Sequence, residues 1–402
     1  MATTANSTNL SALYKILYPQ GHVPDETYQD YPMLALLGRD ENFYGSSMFL
    51  PLKYGNGNKR SSTFANAQSN SGPSSNVGFT VTRATDYAVA FIDNQSMEAS
   101  EKDEGAFVDI FKHEIDSAMK ASMQSEAQSL AGDGTGIIGQ VSAGSTVGSA
   151  VITLADIEQV TNFEVGNVLV ATATVGGAAR TGSVTLIAVN RRTGQLTASG
   201  NWSAGISAIA AGDYLAIEGD LNMKPKGFSA WIPESDPSST AFFGVDRTPD
   251  LLRLAGVRDD YSAKPIEEAL VAAAKDMNLN GASVDYGFMS YGKHAELENA
   301  LGSKVQYVDV MSNIGVGLRG IKIVSGKKPV VILSDLTAKS DRLWMMQSNT
   351  WKLRSLKKSI RILEQDGLRS LRQSNADGQE VRIGGYKQFT CEAPGYNGNF
   401  KI

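Results

Sequence analysis

The sequence predicts an α+β chain: a long polar-tipped hairpin, a long helix, and a mixed body interrupted by a small β-rich insertion. Three observations carry that reading. Residues 43–92 hold two strand-like runs separated by a stretch rich in Ser, Asn and Gly. Residues 100–130 repeat apolar positions at spacings of three and four, the period of a helix with one buried face. Residues 141–222 shift to Gly, Ala, Val and Thr with recurring turn signals, the mark of several short strands.

Bulk properties set the limits. Hydrophobic residues make up 42% of the 402 and charged residues 20%, enough apolar material for real cores. No apolar run reaches the roughly 18 residues that a membrane helix needs. The opening Met-Ala-Thr-Thr-Ala-Asn-Ser lacks the basic and apolar regions of a secretory signal. The single cysteine, Cys391, precludes an intrachain disulfide and fits assembly in a reducing compartment. A net charge of −5 argues against a dedicated nucleic-acid binder, leaving only local basic patches for non-specific contact.

Residues 1–42 read as an arm. Leu10, Leu13, Tyr14, Ile16 and Leu17 give a short amphipathic helix, ended by Tyr18-Pro19-Gln20-Gly21. The apolar run Tyr31–Gly38 is expected to dock on the body. Residues 43–92 read as one hairpin, rising over Ser47–Tyr54 and descending over Gly78–Ile92. Its polar tip, with Lys59 and Arg60, cannot bury itself, and a two-stranded ribbon alone is barely stable in water. It is therefore either a surface loop or an arm that gains order against a neighbouring subunit.

Ser100-Glu101-Lys102-Asp103 caps the next helix, with acids facing the positive end of its dipole. Phe107, Ile110, Phe111, Ile115, Ala118, Met119, Met123, Ala127 and Leu130 form its apolar face, and Gly132 ends it. About 25 residues span roughly 38 Å, long enough for a spine. In the insertion, strands are expected over Ala150–Leu154, Asn167–Thr172, Gly182–Val189, Gln195–Ala198 and Asp213–Glu218, which together suggest a small barrel. Beyond it, Pro265–Met277 reads as a helix with Ile266, Leu270, Val271 and Met277 on one face, and Lys293–Leu301 as another. Asp285–Met289, Pro329–Leu333, Arg342–Met346, Trp351–Leu363, Gln379–Ile383 and Tyr386–Cys391 read as strands.

The chain offers little chemistry. His22, His113 and His294 lie in no metal-ligand spacing, and Cys391 sits in a strand-like run rather than a nucleophile setting. Gly-x-Ser-x-Gly and Walker patterns are absent. Gly315-Val316-Gly317-Leu318-Arg319-Gly320 spells a dinucleotide fingerprint, but the alternating Ile321-Lys322-Ile323-Val324 follows where a helix must begin. It reads as a flexible glycine loop. Asp259-Asp260-Tyr261 reads as a solvated turn. Lys352, Arg354, Lys357, Lys358 and Arg361, interleaved with Trp351, Leu353, Leu356 and Ile360, read as the charged face of a strand that pairs with acids. No cofactor, metal or enzymatic activity is expected.

The order of parts resembles the tailed-phage and herpesvirus capsid fold, the Hong Kong 97 type: an arm, a polar-tipped hairpin over Phe43–Ile92, a spine helix, then an α/β body with a final strand. That resemblance implies an N-terminal arm (1–42), an E-loop (43–92) and a peripheral domain with the spine helix (93–140). It further implies an inserted β-barrel (141–222) like that of some podophage-type coat proteins, a return to the peripheral domain (223–279), an axial domain (280–343) and C-terminal strands (344–402). It implies self-assembly into hexamers and pentamers of an icosahedral shell around packaged DNA, in a virion built in the host cytoplasm. The short arm implies a separate scaffolding protein, and the shell implies a portal and room for a decoration protein. Tyr54, Lys59, Arg60, Phe64 and Phe79 would then contact the next subunit, and Gly315, Gly317, Arg319 and Gly320 would lie near a capsomer axis. Lys53 and Lys59 have no identifiable crosslinking partner, so that chemistry is not carried over. An encapsulin-type shell shares the fold, and a tail or decoration protein is the other structural alternative.

Overall fold

The computed structural model describes residues 30–57, 59–94, 104–302, 305–312, 317–364, 368–373 and 377–402. The expected helix over residues 10–17 and the cap at 100–103 lie outside them.

The described chain begins inside the main core. Helix α1 (Pro32–Ala35) is one turn long, and every residue from Tyr31 to Leu37 is buried. The Asp335 carboxylate accepts from the Met33 amide at 2.9 Å, so the apolar run docks as expected. Strand β1 (Gly38–Asp40) follows, then β2 (Ser47–Gly55), helix α2 (Phe64–Ser69), β3 (Ser75–Thr82) and β4 (Ala84–Asp93). The hairpin proper is β2 with β3, registered from Ser47↔Thr82 to Gly55↔Ser75. It is shorter than the 43–92 expected. The chain turns at Arg83, and β4 leaves the hairpin to pair with a strand almost 300 residues away. Alternation continues across the break, so the pattern alone cannot reveal the change of partner.

Helix α3 (Glu104–Ala131) has 28 residues, a length of about 42 Å. Ile115, Met119, Met123, Ala127 and Leu130 are buried along one face. The insertion comprises β5 (Ile137–Gln140), β6 (Val151–Thr153), β7 (Val168–Thr172), β8 (Val184–Asn190), β9 (Gln195–Ala198), the short helix α4 (Trp202–Gly205) and β10 (Tyr214–Ile217). Their order in the sheet is β5-β10-β7-β8-β9-β6. Val141 bridges Leu154, and the Ser142 amide donates to Thr153 O at 2.8 Å, so the two end strands meet. Phe163, Leu186, Leu196, Trp202 and Leu215 form a core of their own inside. The first strand, β5, precedes residue 141, where the insertion was expected to start.

Helices α5 (Phe228–Trp231) and α6 (Leu251–Ala255), strand β11 (Val257–Asp260), helix α7 (Ile266–Leu279), strand β12 (Tyr286–Met289) and helix α8 (Tyr291–Leu301) lead into the body. Ser290 caps α8 by accepting from the Lys293 amide. Strands β13 (Tyr307–Met311), β14 (Gly317–Ser325), β15 (Lys328–Ser334) and β16 (Arg342–Met346) join β11, β12 and a last strand in a seven-stranded sheet. Ala269, Leu270, Ala273 and Met277 of α7 belong to the second core, built on this sheet. Val271 was expected on that face but is 49% exposed. At 3.6 residues per turn it lies about 100° from Leu270, and the small Ala269 and Ala273 complete the inner face instead.

Strands β17 (Trp351–Ser355), β18 (Arg361–Ile362), β19 (Leu371–Arg372) and β20 (Gly378–Cys391) make a second sheet with β1 and β4. Strand β21 (Gly398–Lys401) closes the seven-stranded sheet between β11 and β16. The predicted strand Trp351–Leu363 is therefore two, and the two predicted strands after Gln379 are one. Strand β20 runs unbroken through Gly384–Gly385, because those glycines serve close approach rather than a turn. A Cβ on Gly385 would lie 1.9 Å from Ser359 O, and one on Gly384 would lie 2.5 Å from Asp86 O. The glycine run at 315–320 is also not a loop throughout. Gly315 is outside the described residues, but Gly317, Arg319 and Gly320 belong to β14. Gly320 pairs with Val308 and is packed so tightly that a Cβ would sit 2.5 Å from Val331.

Candidate assembly surfaces

The hairpin is anchored at its root and bare at its tip. Leu50, Phe79 and Val81 point into the main core. The Phe79 ring stands edge-on to Trp231 at 5.1 Å and to Phe242 at 6.3 Å, and the Thr80 amide donates to Phe243 O at 2.8 Å. Phe79 was expected on a neighbouring subunit. It is instead fully buried in its own, because the alternation of β3 turns that position inward. Midway up the arm, Tyr54 is half-buried and its carbonyl accepts from the Arg253 guanidinium. Beyond it, Lys59, Arg60 and Phe64 are exposed, Phe64 at 83%.

The charge of this arm is one-sided. From Phe43 to Thr85 the sequence holds no Asp or Glu, yet it carries Lys53, Lys59, Arg60 and Arg83. Arg83 lies over the Phe43 ring at 5.5 Å. Lys53, Lys59 and Arg60 are exposed and pair with no carboxylate among the described residues. The structure thus brings Lys59, Arg60 and Phe64 together at the tip. It places Tyr54 lower on the arm, and Gly317, Arg319 and Gly320 in a different sheet, where Arg319 stacks on Tyr307 at 4.4 Å.

A second exposed strip follows the arm. Tyr87, Val89 and Phe91 alternate outward along β4, while Ala90 and Ile92 alternate inward. The basic run after Trp351 is mostly occupied within the chain. Lys352 pairs with Glu392 at 2.8 Å, and Arg354 with Asp40 and Glu392 at 2.8 Å each.

Sequence reading missed the most unusual polar group, which is interior. Lys387 on β20 is 1% exposed and pairs with the fully buried Glu126 of α3 at 2.6 Å and with Asp86 of β4 at 3.4 Å. Lys224 joins Asp86 and Asp220, each at 3.0 Å. Burial alone would push the Asp86 carboxyl up, but the Lys387 and Lys224 ammoniums outweigh it and hold it below the usual range. Burial alone would push Lys224 down, and Asp86 and Asp220 outweigh it in the other direction. The available signal was a lysine inside the apolar end of β20, between Tyr386 and Phe389.

The insertion is tied to the body by polar contacts. Glu158 accepts from the Gly292 amide at 3.1 Å and Asp156 from the Ser340 hydroxyl at 2.9 Å. Gln124 and Gln128 of α3 donate to Thr161 O and Asn162 Oδ1. His113 is exposed on α3, burial lowers the pKa of His294, and burial pushes the Cys391 thiol up to about 12. His22 lies outside the described residues. Among the described residues no three His, Cys, Asp or Glu side chains gather as a metal site, and no helix is long and apolar enough to cross a membrane.

No protein-family model matches the chain, and no curated protein matches it. Solved structures do. The capsid asymmetric unit of cyanophage A-1(L) superposes with a TM-score of 0.52 at 10% identity, covering 100% of this chain and 96% of that one. The fold is that of a tailed-phage capsid subunit. The capsid of a native GTA particle (TM-score 0.48, 9% identity, 100% and 99% covered) and the holo-SrpI encapsulin of Synechococcus elongatus PCC 7942 (0.47, 6%, 97% and 94%) are also similar. The arm tip and the β4 strip are exposed apolar or basic surfaces among the described residues.

Proposed function

We propose that this chain is a major capsid protein that assembles as hexamers and pentamers into an icosahedral shell around packaged double-stranded DNA. The observation that carries the reading is the arm. It is rooted in its own core through Phe79, yet it projects an acid-free tip on which Lys59, Arg60 and Phe64 are exposed. Such an element is stable only in part by itself and gains its remaining contacts from another molecule. The similarity in fold to a cyanophage capsid subunit supports the same reading.

On this reading the hairpin over Ser47–Thr82 is the E-loop and α3 is the spine helix. The β4–β20 sheet forms the peripheral part, the seven-stranded sheet the axial part, and residues 137–222 an inserted β-barrel. Gly317 and Arg319 then lie towards the capsomer axis. The role is structural rather than enzymatic. Separate scaffolding, portal and decoration proteins are the expected partners, with non-specific contact to DNA inside a virion assembled in the host cytoplasm. A shell needs many contacts of modest strength, because strong single contacts would trap misassembled particles.

Deleting Gly57–Asn76 removes the tip and spares the root. The variant is expected to fold with the secondary structure outside the deleted tip unchanged and to remain a soluble subunit, while the intact chain forms closed particles under negative-stain microscopy. Normal particles from the deletion variant would exclude the arm as an assembly element.

A further inference from the structure

An open groove of about 770 Å³ runs along the outer face of α7. Val271 and Leu279, 49% and 77% exposed, form its apolar floor. The turn at Gly326 and Asn278 close one end, and Glu267 and Glu268 stand at the other. Two lysines also line it, but both have partners: Lys264 lies over the Tyr261 ring at 4.8 Å, and Lys275 pairs with Asp276 at 3.1 Å. Glu267 and Glu268 pair with no cation among the described residues. The first turn of α7 favours acids there through the helix dipole, which accounts for their stability but not for the exposed apolar floor beside them.

The arm tip is the complement of this groove. It offers one large exposed aromatic, Phe64, and two unpaired cations, Lys59 and Arg60, on a segment with no carboxylate. We infer that the hairpin tip of one copy seats in the α7 groove of a second copy, with Phe64 on Val271 and Leu279, and Lys59 and Arg60 against Glu267 and Glu268. The occupant is another copy of this chain because the complementary charges and the matching apolar group are both encoded here. Arm and groove are different surfaces, so the contact is head-to-tail, and repeated copies close into a ring when the rotation allows. The inference rests on the self-assembly reading and names the docking partner of the arm.

Two experiments test it on the full chain. Phe64→Cys with Leu279→Cys introduces a pair whose background is clean, because Cys391 is the sole native cysteine and is buried. Oxidised particles are expected to give a ladder of covalently linked subunits, and each single-cysteine variant is expected to give none. Separately, Lys59→Glu/Arg60→Glu and Glu267→Lys/Glu268→Lys are each expected to raise the concentration needed for assembly by about tenfold or more, and their combination to recover most of that loss. Particles that form normally without a ladder and without charge-swap rescue overturn this docking while leaving the shell reading intact. An intact chain that stays monomeric at all concentrations overturns both.

Discussion

Lys387 is a buried cation held by carboxylates from two other elements. It sits at the Ala84 position of the β4–β20 ladder with its ammonium between Asp86 and Glu126, all but shut off from water. A buried ion pair adds little net stability, but breaking one is costly because it strands a charge. Lys387→Met is therefore expected to destabilise the subunit by roughly 3–5 kcal/mol, and Lys387→Met with Glu126→Leu by much less, as read from denaturant unfolding of unassembled protein. Asp86 contributes a pH dependence of known sign. Its carboxyl lies below the ordinary value of 3.8 in the folded chain. Its stabilising effect is thus full above that value and is lost as pH falls through the lower, folded value. In practice, the slope of stability against pH below 3.8 should be steeper in the intact chain than in Asp86→Asn.

At the scale of elements, periodicity identified the secondary structure well and its partners poorly. The long helix, the insertion strands and Arg342–Met346 were legible because an apolar face repeats at the period of the element that buries it. Val271 was assigned to the wrong face because two alanines on the inner side of α7 carry no strong hydrophobic signal. The strands Gln379–Ile383 and Tyr386–Cys391 were read apart at Gly384–Gly385 because a sequence does not say whether a glycine interrupts a strand or admits a neighbour's backbone. Phe79 resembled a surface anchor for a similar reason: an aromatic in an arm is read as exposed until the strand's facing is known. Phe64, on the tip helix, is exposed.

At the scale of the whole molecule, charge is unevenly distributed. The chain is net −5, yet its arm is free of carboxylates over Phe43–Thr85. On the shell reading, arms repel one another and are drawn to the rest of a neighbouring surface. Assembly followed by light scattering is expected to slow as sodium chloride rises, since exposed charges are screened beyond a Debye length of about 8 Å at physiological salt. A chain with its arm cations replaced by glutamine should lose most of that dependence. The same uneven distribution explains why bulk composition pointed away from nucleic-acid recognition without pointing to a partner.

Sequence by itself determined the α+β class, the long helix, the polar-tipped hairpin and the β-rich segment after the helix, because each of these rests on local period and composition. It also determined the lack of familiar catalytic motifs, which are matters of residue type and spacing. Only the tertiary structure decided where the hairpin ends, which of its aromatics is buried, that β20 is one strand, and that Asp86, Glu126, Lys224 and Lys387 meet. Those facts depend on segments up to 300 residues apart being brought into register. The energy that selects such pairings comes from burial and ion pairing across the fold, and no window of neighbouring residues contains it.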